Sequence, residues 1–204
     1  MPSQPMAVRN TLQLLPERSL VSHSISIVFH SGYGHTRRIA QAVAEGGDAR
    51  LHEVDADGAL AAADWEAIQA ADAIVLGSPT YMGNVSWQFK RFMDTSASVW
   101  MQQQWKNKLA AGFTNSAGIN GDKLATLGAL FTFSQQHGML WVGTGLMPAN
   151  AKASTRDDVN YLASFSGLMA ATPADATPEE MAAGDLHTAR AFGERIRQTL
   201  LRVK

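Results

Sequence analysis

Apolar residues occur along the chain in short continuous runs that alternate with longer stretches of helical periodicity. The first run, residues 25–29, is rich in β-branched and aromatic side chains, which is typical of a strand buried on both faces. A polar, glycine-containing loop follows at residues 31–34, and Ile39 and Val43 then recur at helical spacing. This pattern predicts a strand, a tight loop and a helix over about residues 36–45.

The same alternation continues to the end of the chain. Further strands are predicted over residues 50–54, 72–77, 109–114 and 139–143. The helix after the second strand ends near residue 71, and the helix after the third strand begins at residue 86. The last two helices span residues 122–137 and 186–202. Pro79 is expected to prevent the third strand from continuing as a central strand, and residues 144–185 are expected to be irregular.

Five strands that alternate with helices predict an α/β fold with a five-stranded parallel sheet and helices on both faces. With strand order 2-1-3-4-5, the loops after the first, third and fourth strands meet at one edge of the sheet. We therefore expect one ligand site built from three loops.

Residues 1–22 differ from the rest of the chain. They contain Pro2, Pro5 and Pro16 with scattered charges and no long apolar stretch. We predict an irregular extension at residues 1–22 and a single domain at residues 23–204.

Composition excludes several function classes. A formal net charge of -1 argues against a preference for nucleic acid or an acidic membrane surface. The chain has no cysteine, which excludes disulfides and thiolate chemistry, and no apolar run long enough to span a membrane is present. His30 and His35 lack further ligands at suitable spacing, so no metal site is expected. We expect a cytoplasmic protein.

The loop after the first strand has the features of a phosphate site, because a strand, a tight loop and a helix start direct backbone N–H groups toward one point. Ser31 and Thr36 add hydroxyl donors. A Walker A loop, which binds ATP or GTP, is set aside because the lysine that it requires is missing. A dinucleotide loop is weakened by Arg37 in place of its third glycine, although Asp55 lies about twenty residues on. An ordinary strand-to-helix turn is also open, and a loop for the phosphate of FMN fits best.

Four segments in this order resemble one known family. Residues 31–36, residues 79–84, Trp100 and residues 137–139 are together similar to the flavodoxin-like NAD(P)H:quinone oxidoreductases of the tryptophan-repressor-binding-protein type. The similarity covers about residues 24–147. It implies a flavodoxin-like three-layer sandwich that binds FMN.

The resemblance also implies a set of site residues. The phosphate would be held by Ser31, Tyr33, Gly34, His35 and Thr36. The remainder of FMN would lie beside Pro79, Thr80, Tyr81, Met82, Gly83 and Asn84, with Asn115, Ser116, Ala117 and Gly118 at the ring edge. His137 would approach FMN, from the same or a neighbouring subunit, and both His137 and Trp100 are possible substrate-site residues.

The expected function follows from the same resemblance. It is the transfer of two electrons from NAD(P)H to a quinone or similar acceptor by a ping-pong mechanism, in which the two substrates use one pocket in turn. No covalent catalytic residue is needed, and a homodimer or homotetramer is expected. The alternatives are a flavodoxin-type electron carrier without intrinsic NAD(P)H oxidation, and an FMN-responsive binding or scaffold protein.

Overall fold

The computed structural model describes residues 23–203, so the predicted N-terminal extension at residues 1–22 lies outside the described residues. A parallel sheet forms the middle layer. Its strands are β1 (Ile25–His30), β2 (Arg50–Val54), β3 (Ala73–Tyr81), β5 (Leu109–Ser116), β6 (Leu140–Trp141) and β7 (Leu168–Ala171), and β4 (Asn84–Val85) pairs antiparallel with the end of β3.

The central path of the sheet runs β2-β1-β3-β5-β6. The predicted strands one to five correspond to β1, β2, β3, β5 and β6, so the predicted order 2-1-3-4-5 is confirmed. The chain crosses over from each of these strands to the next through a helical segment, as parallel pairing requires.

Helices cover both faces of the sheet. They are α1 (His35–Gly47), α2 (Ala62–Ala70), α3 (Trp87–Thr95), α4 (Ala97–Met101), α5 (Lys123–Gln136) and α6 (Ala183–Val203). On one face, Ile27 and Phe29 of β1 pack with Ile39 of α1 and Phe192 of α6. On the other face, Val28 packs in the cluster that contains Ile68, Phe89, Phe92 and Leu130, which come from α2, α3 and α5. Alternate side chains of one buried strand thus enter two cores.

The segment predicted to be irregular contains strand β7, which corrects that expectation. β6 pairs with the first part of β5, at Leu109 and Ala110, whereas β7 pairs with the second part from Phe113 to Ser116. One neighbour of β5 is therefore built from two short strands, with residues 142–167 leaving the sheet between them. Four residues are too few to show periodicity, so the sequence pattern missed this strand.

β3 continues to Tyr81, past its predicted end at residue 77, and contains Pro79. At Pro79 it is no longer a central strand, as expected. The register partner of Pro79 is Asn115 of β5. On the other side, pairing with β1 extends only to Gly77. Pairing with β4 begins only at Thr80, so neither strand pairs with Pro79 and the missing N–H of proline costs no ladder hydrogen bond to them.

The first helix is also longer than predicted. It continues through Gly46 and ends at Gly47. Its C-cap, Asp48, has the left-handed backbone angle φ of 52° and donates its N–H to the carbonyl of Ala44. A Cβ on Gly46 would lie 2.0 Å from the carbonyl oxygen of Arg190 in α6. The glycine therefore allows the close approach of α1 and α6.

Candidate functional site

A cleft of about 310 Å³ lies at the carboxyl edge of the sheet, where the loops after β1, β3 and β5 meet. This volume falls within the range of small-molecule sites, about 300–1,000 Å³. Its lining residues are Gly32, Tyr33, His35, Thr36, Pro79, Thr80, Tyr81, Asn115, Ser116, Ala117, Thr172 and Ala174. The three predicted loops thus meet in one cleft, and a fourth segment, around Thr172, joins them.

The start of α1 forms one end of the cleft. Gly34 precedes the helix with φ of 89°, a left-handed conformation that glycine adopts readily. The Ser31 hydroxyl accepts a hydrogen bond from the N–H of Arg37 at 3.1 Å. The N–H groups of His35 and Thr36 precede that of Arg37 and have no partner within a helix. This end of the cleft is therefore suited to an anion.

Two basic side chains near this end are engaged elsewhere. The guanidinium of Arg37 makes two hydrogen bonds of 2.7 Å to the carboxylate of Glu53, a pairing that raises the pKa of Arg37. The ring Nε2 of His35 lies 2.8 Å from the carbonyl oxygen of Ala176. His35 thus connects the first loop to the segment after β7, and an anion here would be held mainly by backbone N–H groups and hydroxyls.

The second loop supplies an aromatic wall. The rings of Tyr33 and Tyr81 meet edge to face, with their centroids 6.5 Å apart. A Cβ on Gly32 would lie 2.6 Å from the hydroxyl oxygen of Tyr81, so a glycine at this position leaves room for that tyrosine. Burial raises the pKa of the Tyr81 hydroxyl, which keeps it a neutral donor.

Below this wall, Thr80 is fixed in a buried hydroxyl network. Its oxygen lies 2.8 Å from the hydroxyl oxygens of both Thr114 and Thr126. The network joins β3, β5 and α5, and it therefore holds the floor of the cleft in one arrangement.

The third loop is bound to the segment that the sequence analysis missed. The Thr172 hydroxyl donates to the side-chain oxygen of Asn115 at 3.0 Å, and the Thr172 N–H donates to the carbonyl of Ser116 at 3.1 Å. Thr172 and Ala174 were expected to lie in an irregular segment far along the chain. Strand β7 places them at the same edge of the sheet as the other loops.

Several predicted residues flank the cleft without lining it. These are Ser31, Gly34, Met82, Gly83, Asn84 and Gly118. Ser31 and Gly34 shape the start of α1, while the Asn84 side chain accepts a hydrogen bond from the N–H of Val85 and Met82 is fully exposed.

His137 and Trp100 lie outside the cleft of their own chain and line a separate surface cavity beside α3 and α4. The His137 ring is 2% exposed, and it contacts Trp105 with a centroid distance of 4.4 Å. Its Nε2 lies 3.0 Å from the Ser96 hydroxyl, and burial lowers its pKa to about 4. The structure therefore does not bring these two residues together with the other predicted site residues.

The residues of the cleft fit FMN. One end offers N–H and hydroxyl donors for a phosphate, the wall near Tyr81 offers a flat aromatic surface, and the third loop offers polar groups at the opposite side. Within residues 23–203, no group of three His, Asp or Glu side chains is placed to hold a metal ion. In the same part of the chain, none of the helices has the length and apolar character required to cross a membrane.

Comparison with known proteins decides the family. The sequence model described as NADPH-dependent FMN reductase matches residues 31–153. The chain belongs to the NADPH-dependent FMN reductase family.

Relatives of this family member carry two kinds of name. Flavodoxin FldP of Pseudomonas aeruginosa (strain UCBPP-PA14) is 45% identical over 170 residues, which cover 83% of this chain and 92% of the relative. An NAD(P)H dehydrogenase (quinone) of Geobacter sulfurreducens is 31% identical over an alignment of 159 residues. The alignment covers 66% of this chain and 77% of the relative. The solved structure of a WrbA-like flavodoxin from Agrobacterium tumefaciens is 44% identical and covers 90% of this chain and 100% of its own, with a TM-score of 0.73.

These findings confirm the predicted resemblance, the flavodoxin-like fold, FMN as the cofactor and an FMN-dependent oxidoreductase as the class of enzyme.

Proposed function

We propose that this FMN reductase family member transfers two electrons from NAD(P)H to a quinone or similar acceptor, and that the two substrates occupy the cleft in turn. The observation that carries the proposal is the cleft formed by the loops after β1, β3 and β5, with Tyr33 and Tyr81 among its lining residues. The family match and the relative from Geobacter sulfurreducens support it.

FMN, when bound, supplies the two-electron chemistry. The residues of this chain bind and orient it. Under the proposal, the FMN phosphate is held by Ser31, Tyr33, Gly34, His35 and Thr36. Along the length of FMN lie Pro79, Thr80, Tyr81, Met82, Gly83 and Asn84. The flavin ring is bordered by Asn115, Ser116, Ala117 and Gly118. A role for His137 at the flavin requires a second subunit, because in its own chain the residue lies in another cavity.

Alternating use of one cleft has a kinetic consequence. With NADPH and a benzoquinone as substrates, double-reciprocal plots at several quinone concentrations should be parallel lines. Intersecting lines would show that both substrates bind together and would contradict a shared cleft.

The similarity to flavodoxin FldP favours a second candidate, an FMN electron carrier without intrinsic NAD(P)H oxidation. The two candidates differ in one observable result. Anaerobic addition of NADPH to the FMN-loaded protein should bleach its visible absorbance if the protein is a reductase. Colour that persists until a separate reductase is added would establish the carrier.

The proposal includes cytoplasmic location and assembly as a homodimer or homotetramer. Absence of cysteine is compatible with the first. The exposed side chains of Trp87, Trp100 and Met101 offer apolar surface for the second. Light scattering during size-exclusion chromatography measures the assembly directly.

A further inference from the structure

A lysine is buried directly behind the third loop of the cleft. Lys123, at the start of α5, is fully buried, with 0% exposure. Its Nζ donates a hydrogen bond of 2.8 Å to the hydroxyl of Ser116, which lines the cleft, and a second one to the carbonyl of Gly118. Lysine is almost never buried completely without a partner, so this position calls for an explanation.

The direct partners of this ammonium group are neutral oxygens. The charged groups that influence it are Asp185 of α6 and Arg156 of the connection before β7. Asp185 is itself bound to Arg156 at 2.6 Å and to the N–H of Ala171 at 2.9 Å. The carboxylate is therefore already compensated, and the positive charge of Lys123 acts on what lies beyond Ser116. Burial lowers the pKa of Lys123 to about 8.

The contacts of Lys123 also determine the shape of the loop. The Ser116 hydroxyl, which accepts from Lys123, donates in turn to the carbonyl of Gly118 at 3.1 Å. Gly121 has φ of 54°, and a Cβ there would lie 2.2 Å from the Ser116 hydroxyl oxygen. Residues 116–121 thus fold tightly around one ammonium group, with Ser116 and Ala117 facing the cleft.

We propose that Lys123 is a positioning residue that holds the third loop and places a positive charge behind it, so that the cleft favours reduced, anionic FMN over oxidised FMN. The inference depends on the proposed function, because it concerns FMN in the same cleft. The physical reason is that a charge buried in a medium of low dielectric constant is screened less than a charge in water.

The experiment measures the dissociation constants of oxidised FMN and of dithionite-reduced FMN under anaerobic conditions, together with the midpoint potential of the bound flavin. Lys123→Met removes the charge and keeps the aliphatic chain, whereas Lys123→Arg keeps the charge. The matched control, Lys90→Met, removes an exposed positive charge from α3 at a residue that does not line the cleft. Circular dichroism verifies that each variant is folded.

In Lys123→Met, we expect the preference for reduced FMN to fall about tenfold, the size of one partly screened charge interaction. For a two-electron couple this corresponds to a midpoint potential lower by about 30 mV. Lys123→Arg and Lys90→Met should retain the preference of the unmodified protein.

A pH series on the unmodified protein gives an independent test. Because an anion in the cleft favours protonated Lys123, the preference for reduced FMN should weaken as the pH rises from 7.5 to 9.5, through the pKa near 8. In Lys123→Arg, which stays charged, the preference should not change. The charged groups that act on Lys123 from neighbouring elements are Asp185 and Arg156.

Each result supports or overturns the inference. An unchanged preference in Lys123→Met, or a preference in the unmodified protein that is independent of pH, would overturn it. If Lys123→Met does not fold, the pH series decides alone. Failure of the unmodified protein to bind FMN in either state would instead refute the proposed function.

Discussion

Thr36 is the residue whose place in the fold best suits its hydroxyl to bind a phosphate in the cleft. It lies in the first turn of α1, is buried, and lines the cleft beside helix N–H groups. A hydroxyl at this position can donate to a phosphate without the cost of holding a charged side chain in place. Its contribution should therefore depend on whether the ligand carries a phosphate.

Replacing Thr36 by valine keeps the shape of the side chain and removes the hydroxyl. A hydrogen bond to a charged group contributes about 1.5–3 kcal/mol, so FMN should bind about tenfold to a hundredfold more weakly. Riboflavin, which has no phosphate, should bind equally to both proteins. Fluorescence titration with the two ligands makes the comparison, and Thr132→Val on the exposed surface of α5 is the control. Equal losses for FMN and riboflavin would show that Thr36 does not contact the phosphate.

At the same scale, the sequence predicts some residues well and others poorly. Thr36, Tyr81 and Ser116, which the resemblance implies as site residues, line the cleft because the carboxyl ends of parallel strands meet in the fold. His137 and Trp105 show the limit of that approach. Trp105 follows three consecutive glutamines, yet it is fully buried against Phe92 and His137. Only tertiary packing places these rings, and no local spacing encodes it.

Among the elements, β1, β2 and α2 are joined by a chain of three polar side chains. The Ser26 hydroxyl lies 3.1 Å from Nε2 of His52, and Nδ1 of His52 lies 2.8 Å from a carboxylate oxygen of Asp64. The order serine, histidine, aspartate is that of a hydrolase triad. Here Ser26 is 3% exposed and His52 1% exposed, so a substrate has no access and the chain of hydrogen bonds is structural.

His52→Leu removes both hydrogen bonds and leaves the buried Ser26 hydroxyl with a weak contact to the carbonyl of Ala67 at 3.5 Å. The free energy of unfolding should fall by about 1–3 kcal/mol, the cost of an unsatisfied buried polar group. Urea unfolding measures this, with His187→Leu on the exposed face of α6 as the control, where the change should stay within about 0.5 kcal/mol. FMN affinity should be unaffected, and a large loss of affinity would contradict a purely structural role.

Element boundaries show why sequence patterns succeed at some helix ends and fail at others. Ser86 was predicted to open a helix, and it is the N-cap of α3, where its hydroxyl accepts from the N–H of Phe89. Helix α6 begins at Ala183, three residues before the predicted start at residue 186. A capping hydroxyl is a local signal, whereas the first turn of α6 is fixed by contacts of Asp185 with Arg156 and Ala171.

For the whole molecule, buried Lys123 makes stability depend on pH. Its pKa in the folded protein is about 8, below the ordinary value of 10.5. Between these values the unfolded chain binds more protons than the folded protein, so the free energy of unfolding should rise as the pH increases from about 8 to 10. Below pH 8 both states are protonated, and the full cost of burying the charge is present.

Thermal or urea unfolding at several pH values tests this expectation. Lys123→Met should lose the rise between pH 8 and 10, while Lys90→Met, which removes an exposed lysine, should keep it. Equal slopes in the unmodified protein and Lys123→Met would mean that Lys123 titrates normally when the protein is folded.

Because β6 and β7 share one side of β5, residues 142–167 form a long loop whose two ends are both fixed in the sheet. The chain leaves the sheet after pairing at Ala110 and returns to pair at Phe113, so its two ends lie about 10 Å apart along one strand. Closing a loop between fixed points costs little more when the loop becomes longer. Insertions at its exposed positions 150–153 can therefore change the surface of the protein, while every strand keeps its register.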